Sequence, residues 1–173
     1  MNADAKRSQL LDRLADHVLA EGLAGASLRP LAKAAGTSDR MLLYYFADKA
    51  ALIEGVLARI AERFTPILDG LAPPEPRAPE ALIAVLPGLL AAPSLQPYMA
   101  VWLEMAALSA RGDQGCRTAA SAIRRQFLAW IVDRLALAEP ERGTVAARLF
   151  QQIEGAAVLN AIGLDDVVAR AMV

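Results

Sequence analysis

The sequence has little of the chemistry on which most enzymes and metal proteins depend. Its single cysteine, Cys116, excludes an internal disulfide, and its single histidine, His17, has no cysteine or acidic pair at metal-ligand spacing. Motifs for a phosphate-binding loop or a nucleophile elbow are also missing. We therefore expect no metal and no cofactor, and an enzyme is the least favoured class of protein.

Long apolar runs and an excess of basic charge are missing as well. Hydrophobic residues make up 55% of the 173-residue chain, yet no stretch reaches the ~18 uncharged apolar residues of a membrane-spanning helix. The N-terminus has no secretory signal and a lone cysteine suits a reducing compartment, so we expect a soluble cytoplasmic protein with no membrane partner. Because the net charge is -1, any nucleic-acid binding must depend on a local basic patch.

Aromatic and β-branched residues are sparse while alanine and leucine are abundant, and this composition predicts an all-α fold. Prolines crowd residues 73–79, which marks residues 72–78 as a stiff connector. We therefore predict an N-terminal domain over residues 1–64, with a connecting helix that continues to about residue 71, and a C-terminal domain over residues 72–173. Apolar spacing with capping and stop signals predicts helices over residues 6–22, 28–35, 39–45, 49–71, 79–91 with an interruption at Pro87, 95–110, 113–137, 140–162, and a short one after Asp165.

Two short predicted helices lie close together in the N-terminal domain. Ser27 is placed to cap the helix over residues 28–35, Gly36 ends it, and Ser38 is placed to cap a second helix that ends at Tyr45. Asp48 can cap the helix that follows. Two short helices joined by a turn of about three residues containing glycine are typical of a helix-turn-helix motif.

The second of these helices gathers aromatic residues in a chain whose aromatic content is only 5%. Because a helix of about seven residues is not stable alone, Leu42 and Phe46 are expected to anchor it by packing inward. Its other face can meet base edges and thymine methyl groups in a major groove, with phosphate contacts from neighbouring residues. Short helix pairs with buried aromatics also occur in proteins that do not bind DNA, so the local pattern leaves both interpretations open. The candidate DNA contacts are Arg29, Ser38, Arg40, Met41, Leu43, Tyr44, Tyr45 and Lys49.

The segment SLRPLAKAAGTSDRMLLYYFADKAAL, residues 27–52, resembles the N-terminal domain of the TetR family (tetracycline-repressor-like transcription regulators). The similarity extends over residues 7–64. The resemblance implies that the protein is a homodimer and that it binds double-stranded DNA at a near-palindromic operator. It also implies a helical C-terminal domain that senses a small-molecule effector. The residues that carry it, at the family's spacing, are Ser27, Ala32, Gly36, Ser38, Leu42, Phe46, Lys49 and Leu52.

Two positions depart from the pattern of the family. Leu43 stands where the family usually has a tyrosine, which removes one expected hydroxyl contact to DNA, and Arg40 stands where a small residue is common, which adds a charge. Asp39 has two interpretations: its carboxylate can stabilise the dipole of its own helix or accept a hydrogen bond from a cytosine amino group.

Two long predicted helices within residues 114–162 carry apolar residues over a wider face than one surface helix needs. A symmetric protein that binds two half-sites must be a dimer, so we predict that these helices pair with their copies in a four-helix interface. The alternative is that their apolar width is ordinary core within one chain. The candidate interface residues are Ile131, Leu135, Leu149, Ile153, Ala156 and Asn160.

Large adaptable side chains with few polar groups are concentrated in the C-terminal domain, which suits a pocket for an apolar or aromatic molecule. Glu104 or Gln126 could supply a polar contact, and Pro87 could kink a helix beside the cavity. The alternative is again a plain hydrophobic core. The candidate ligand contacts are Tyr98, Trp102, Met105, Gln126, Phe127 and Trp130.

The patterns and the resemblance together predict a dimeric DNA-binding transcriptional regulator, most often a repressor in such families, that a small apolar or aromatic effector releases from DNA. The alternative is a helical ligand carrier or protein-interaction module that keeps the helix-turn-helix only as structure. Salt separates the two, because affinity that depends on phosphate contacts falls steeply as salt rises.

Overall fold

The computed structural model describes residues 3–72 and 75–171, and these residues form α-helices and one 3₁₀ turn, with no extended strand. The predicted all-α fold is confirmed. The 3₁₀ turn covers Leu23–Gly25. The helices are α1 (Ala3–Glu21), α2 (Leu28–Ala35), α3 (Asp39–Tyr45), α4 (Lys49–Leu71), α5 (Pro79–Leu90), α6 (Gln96–Ala110), α7 (Gln114–Asp133), α8 (Glu141–Ala161) and α9 (Asp165–Ala171).

The described residues divide into two compact units. The first contains residues 3–64 and 100–123, and the second contains residues 65–72, 75–99 and 124–171. Helices α4, α6 and α7 therefore each contribute residues to both units. The predicted connector over residues 72–78 falls partly on residues 73 and 74, which lie outside the described residues.

The first unit is built on α1, α2 and α3, with the N-terminal part of α4. α1 packs on α2, and α2 packs on α3. α4 comes close to α1 at Gly55, where an added Cβ would lie 3.1 Å from Leu11 Cδ2. Apolar side chains from all four helices fill the core, and burial of a Leu or Val side chain contributes about 1.5–3 kcal/mol. The most buried of them are Leu14, Val18, Leu31, Leu42, Leu52 and Val56.

Ion pairs fasten α4 to α1 within the first unit. Arg59 Nη1 lies 2.8 Å from Asp12 Oδ1, and its Nη2 donates to Ser8 Oγ at 3.0 Å. Arg63 Nη2 lies 2.6 Å from the same Asp12 oxygen, while Arg63 Nη1 lies 2.7 Å from Asp16 Oδ1. Because two guanidinium groups share one carboxylate, Asp12 is the centre of this contact between the helices.

Because of the Asp12 contact, the free energy of unfolding of the protein depends on pH. Burial opposes ionisation of Asp12, but hydrogen bonds and charge from Arg63 and Arg59 outweigh it and lower the pKa of the carboxyl below its usual 3.8. Since the folded-state pKa lies below the unfolded value, the stabilisation is complete above about pH 4 and is lost as pH falls through the folded-state pKa. Asp12→Asn should therefore cost about 1 kcal/mol at pH 7, a value already discounted for solvent screening.

Urea unfolding of wild type and Asp12→Asn at pH 7 and pH 3 measures this effect. The difference in unfolding free energy should shrink at pH 3, which lies below the ordinary pKa that the carboxyl has in the unfolded chain. Asp16→Asn is the matched control, because the Asp16 side chain is 71% exposed and bonds to one arginine only. An equal difference at both pH values would contradict the assigned role.

The second unit packs α8 against α5 and α9. α5 runs without a break through Pro87, so the predicted interruption there is wrong. Proline removes one backbone hydrogen bond, and burial of Leu82, Leu86 and Leu90 on one face stabilises the helix across that position.

α7 ends earlier than predicted, at Asp133 in place of residue 137. The backbone of the next residues pairs with the connector: Arg77 N donates to Arg134 O at 2.9 Å, and Ala136 N donates to Arg77 O at 2.8 Å. This short bridge satisfies peptide groups that a longer helix would have used. Leu135 consequently lies in the bridge and not on α7, although it remains buried.

Cys116 lies in the first turn of α7, where its N–H donates to Asp113 Oδ1 at 2.8 Å. The residue is only 7% exposed. Burial, together with the neighbouring Asp113 carboxylate, raises the pKa of the thiol. The thiol is therefore protonated at neutral pH and poorly reactive.

Candidate nucleic-acid interface

The turn between α2 and α3 depends on Gly36, which ends α2 with a left-handed backbone (φ 66°). An L-residue rarely adopts this conformation, so glycine is the residue that suits it. Thr37 N closes the turn by donating to Ala32 O at 2.9 Å. Arg13 Nη1 donates to Ala35 O at 3.0 Å, which places a cation on the C-terminal carbonyls of α2. No local pattern in the sequence indicates this role for Arg13, because its partner lies 22 residues away.

Both predicted caps that frame α3 are present. Ser38 Oγ accepts a hydrogen bond from Met41 N at 3.3 Å, and Asp48 Oδ1 accepts one from Ala51 N at 2.8 Å in the first turn of α4. The predicted side-chain cap at Ser27 is wrong: Ser27 precedes α2 and its carbonyl accepts from Leu31 N at 3.1 Å, but its side chain makes no capping bond. The caps explain why α3 and α4 begin at the predicted residues.

α3 has one buried and one exposed side. Leu42 is fully buried, and Phe46 at the helix end is 2% exposed, with the Arg7 guanidinium 4.8 Å from its ring centre. The predicted anchoring by these two residues is confirmed. On the other side Tyr44 is 75% exposed, and Met41 and Leu43 are also exposed.

The charged and tyrosine candidates around α3 are accessible to solvent. Arg40 is exposed in the first turn of α3, Arg29 in the first turn of α2 and Lys49 in the first turn of α4. Tyr45 is half-buried, and its ring packs edge-on against that of Tyr44 with centroids 5.2 Å apart. The starts of three successive helices therefore present cations or N–H groups to solvent, which suits contact with phosphates.

The candidate ligand contacts fall into both units. Trp102 and Met105 belong to the first unit, whereas Tyr98, Gln126, Phe127 and Trp130 belong to the second. In the second unit the rings of Phe127 and Trp130 stack with centroids 6.0 Å apart. Trp130 Nε1 donates to Asp69 Oδ1 at 2.7 Å, and Gln126 Nε2 donates to Thr65 Oγ1 at 3.1 Å.

Most of the candidate dimer residues are buried within the single chain. Their exposed fractions are 6% or less, and Asn160 alone is half-buried. Intrachain packing, the alternative that the sequence left open, thus accounts for their apolar pattern, because a side chain already in the core has little surface for a second copy. The five buried residues are Ile131, Leu135, Leu149, Ile153 and Ala156.

Neither metal-binding nor membrane-spanning features are seen in the part of the chain that the structure describes. No group of three histidine, cysteine or acidic residues could hold an ion there. Likewise, none of the described helices is both long and apolar enough to cross a bilayer.

Solved structures similar to this chain are transcriptional regulators. A regulator from Rhodococcus sp. Rha1 is 20% identical with a TM-score of 0.71, over 96% of this chain and 91% of that one. A regulator from Saccharomonospora viridis in complex with choline is 18% identical with a TM-score of 0.70, over 99% and 94% of the two chains. A TetR transcriptional regulator from Streptomyces avermitilis is 25% identical with a TM-score of 0.65, over 94% and 89%. No curated protein sequence matches this chain significantly.

The helix-turn-helix lies in the part of the chain that matches a family model. Residues 13–56 match the model of the bacterial regulatory proteins of the tetR family, and this range contains α2, α3 and the turn between them. The match thus covers the exposed side of α3, and regulators of this kind are not enzymes. This part of the chain is therefore similar to the bacterial regulatory proteins of the tetR family, and the solved regulators share its fold over most of its length.

Proposed function

We propose that the protein is a homodimeric repressor that binds a near-palindromic operator through α3 and is released by a small apolar or aromatic effector. The observation that carries the proposal is the exposed side of α3. Tyr44 is 75% exposed, and Met41 and Leu43 beside it are 40% and 41% exposed. Apolar side chains grouped on one side of a short helix are costly to leave in water, and a DNA major groove gives them a partner.

Each side chain on this surface has its own role in the proposed complex. Arg40 donates to the O6 and N7 atoms of a guanine, while Met41 and Leu43 contact thymine methyl groups. Leu43 can form no hydrogen bond in place of the family's tyrosine, so the charge of Arg40 compensates. Asp39, in the first turn of α3, stabilises the helix dipole.

Phosphate contacts position α3 in the groove. Arg29 and Lys49 are exposed at the starts of α2 and α4, so each can meet a phosphate together with the free N–H groups of its helix. The hydroxyl groups of Tyr45 and Ser38 add hydrogen bonds to the DNA backbone. These contacts supply affinity for any sequence, whereas the base contacts of α3 supply specificity.

The proposed dimer uses the exposed edge of α8 and the residues after it. Val158, Ile162 and Leu164 are 48%, 65% and 39% exposed, and a Cβ added at Gly155 would meet nothing within 4 Å. Residues 155, 158 and 162 follow one another at helical spacing, so this open apolar stripe can meet its own copy across a two-fold axis. The half-buried Asn160 lies at its border.

The effector is proposed to act through the C-terminal domain, residues 72–173. The Saccharomonospora regulator was solved in complex with choline, which supports a small organic molecule as the ligand class for this fold. In this chain the proposed contacts of the second unit are the stacked Phe127 and Trp130 rings with Tyr98 and Gln126, and those of the first unit are Trp102 and Met105. Ligand binding must favour a dimer whose α3 helices no longer match successive major grooves, about 34 Å apart.

Arg40 and Lys49 should respond differently to replacement by alanine. Lys49→Ala removes a phosphate contact, so affinity should fall about equally for every DNA sequence and the salt slope should decrease by about one. Arg40→Ala removes a base contact, so discrimination at one operator position should fall by about 1–3 kcal/mol. Fluorescence anisotropy with the operator and with single-base variants measures both, and unchanged affinity in both variants would refute this docking of α3.

Genome-fragment selection with the purified protein tests the proposed function. The enriched DNA is footprinted at two salt concentrations. A protected near-palindrome whose affinity drops at the higher salt supports the regulator and identifies the adjacent genes. Weak binding without sequence preference would instead favour the ligand carrier or protein-interaction module. Leu43→Tyr would then be the first variant to test for a gain of DNA affinity.

A further inference from the structure

Glu104 of α6 caps the turn that joins α1 to α2. Its Oε2 accepts a hydrogen bond from Leu23 N at 2.7 Å and lies 3.3 Å from Ala24 N. These N–H groups belong to the first two residues of the 3₁₀ turn. Gly22, the residue before them, has no side chain that could accept their hydrogen bonds. A residue 81 positions away in the sequence therefore supplies the cap that the local sequence lacks.

Gly22 is fitted to this carboxylate. Its backbone is left-handed (φ 77°), and a Cβ added there would lie 2.4 Å from Glu104 Oε1. Any side chain at position 22 would thus have to displace the carboxylate as well as adopt a strained backbone. The turn and Glu104 are complementary to each other.

The capped turn leads directly into the helix-turn-helix. Ala26 N donates to Leu23 O at 3.0 Å, and Ser27 N donates to Gly25 O at 2.9 Å, immediately before α2 begins at Leu28. The backbone from Leu23 to α2 is therefore a short hydrogen-bonded segment. Its position sets where α2 starts, and Arg29 projects from that first turn.

We propose that Glu104 is a positioning residue for DNA binding: it fixes the start of α2, and a displacement of α6 withdraws it and lowers operator affinity. α6 also carries Trp102 and Met105, two of the proposed effector contacts, so one helix holds both the cap and part of the proposed sensor. A hydrogen bond weakens steeply once its atoms move beyond about 3.5 Å, so a shift of about 1 Å in α6 suffices to release the turn. The proposal rests on the proposed function, because it requires an operator to bind.

The test compares full-length wild type with Glu104→Ala, Glu104→Gln and Glu21→Gln. Glu21 is the matched control, since it is an exposed carboxylate at the end of α1, close to the same turn. Operator affinity is measured by fluorescence anisotropy, and exchange of the Leu23 and Ala24 amides by NMR. Glu104→Ala should speed exchange of both amides at least about tenfold and weaken operator binding about tenfold, an effect that removal of two hydrogen bonds to a charged group can produce.

The conservative variant and the reciprocal measurement separate positioning from simple stability. Glu104→Gln keeps an acceptor oxygen and should recover much of the affinity, while Glu21→Gln should behave as wild type. Because coupling is reciprocal, operator binding should slow amide exchange around residue 104 in wild type and leave it unchanged in Glu104→Ala. If Glu104 had a purely structural role, Glu104→Ala would lower the melting temperature, but operator binding would still slow amide exchange around residue 104.

The two proposals fail in different ways. An operator complex that Glu104→Ala forms with wild-type affinity would overturn the role of Glu104 and leave the regulator intact. Failure of the wild type itself to form any operator complex would overturn the proposed function, while the exchange rates of Leu23 and Ala24 would still report whether the cap exists in solution.

Discussion

Replacing Leu42 by alanine is expected to lower the free energy of unfolding by about 3 kcal/mol, whereas Met41→Ala, one residue away, is expected to change it by less than about 0.5 kcal/mol. Leu42 is fully buried and Met41 is 40% exposed. α3 has only seven residues, and a helix this short is not stable without packing contacts. The cavity left by Leu42→Ala therefore removes much of the packing that holds α3 in place.

The two variants should separate again when DNA is present. Met41→Ala removes a proposed thymine contact and should weaken operator binding by about tenfold with the fold intact, which corresponds to the loss of about 1.4 kcal/mol. Leu42→Ala should lose binding in proportion to the fraction of molecules that are unfolded. Urea titration followed by circular dichroism gives the first quantity and anisotropy with the operator gives the second. If Met41→Ala lost stability and kept its affinity, the assignment of sides on α3 would be reversed.

Introducing glutamate at both Val158 and Ile162 is expected to separate the proposed dimer into monomers. Both side chains are exposed in the single chain, so the variant should fold normally. Burying two uncompensated carboxylates against their copies costs several kcal/mol, and at least a hundredfold weaker dimerisation is expected, equivalent to about 2.7 kcal/mol. Operator affinity should collapse, because each monomer can contact only one half-site.

Multi-angle light scattering over a concentration series measures the dimerisation, and anisotropy measures the loss of operator binding. Gln152→Glu is the control, since residue 152 is exposed on α8 outside positions 155, 158 and 162 and the variant also adds negative charge. A double variant that remained dimeric would place the interface elsewhere on the chain. A wild type that was monomeric at all concentrations would remove the proposed dimer altogether.

Local signals made the helix-turn-helix predictable from sequence. Gly36, Ser38 and Asp48 act on the peptide groups within a few residues of themselves, so their positions alone determine where α2 ends and where α3 and α4 begin. The division of α3 into Leu42 and Phe46 inward, with Met41 and Tyr44 outward, follows from helical spacing in the same way.

Contacts between distant segments could not be predicted in this way. An apolar side chain such as Ile153 has the same pattern whether it faces its own core or a second copy, and its burial in one chain appears only once the helices are placed. The sequence suggested Glu104 as a ligand contact, because nothing local indicates that its carboxylate meets Leu23. Likewise, the pairing of Arg77 with residues 134–136 shortens α7 through a partner that is remote in sequence.

Because the thiol of Cys116 is buried and protonated, the chain is well suited to distance measurements with a label on one introduced cysteine. Cys116 is the sole cysteine, so a new cysteine at the exposed Ala47, between α3 and α4, would be the one thiol that a paramagnetic label modifies readily. In a dimer each protomer would then carry one label beside its α3 helix. The electron–electron distance would report the spacing of the two helices directly, with and without operator or effector, in the native protein background.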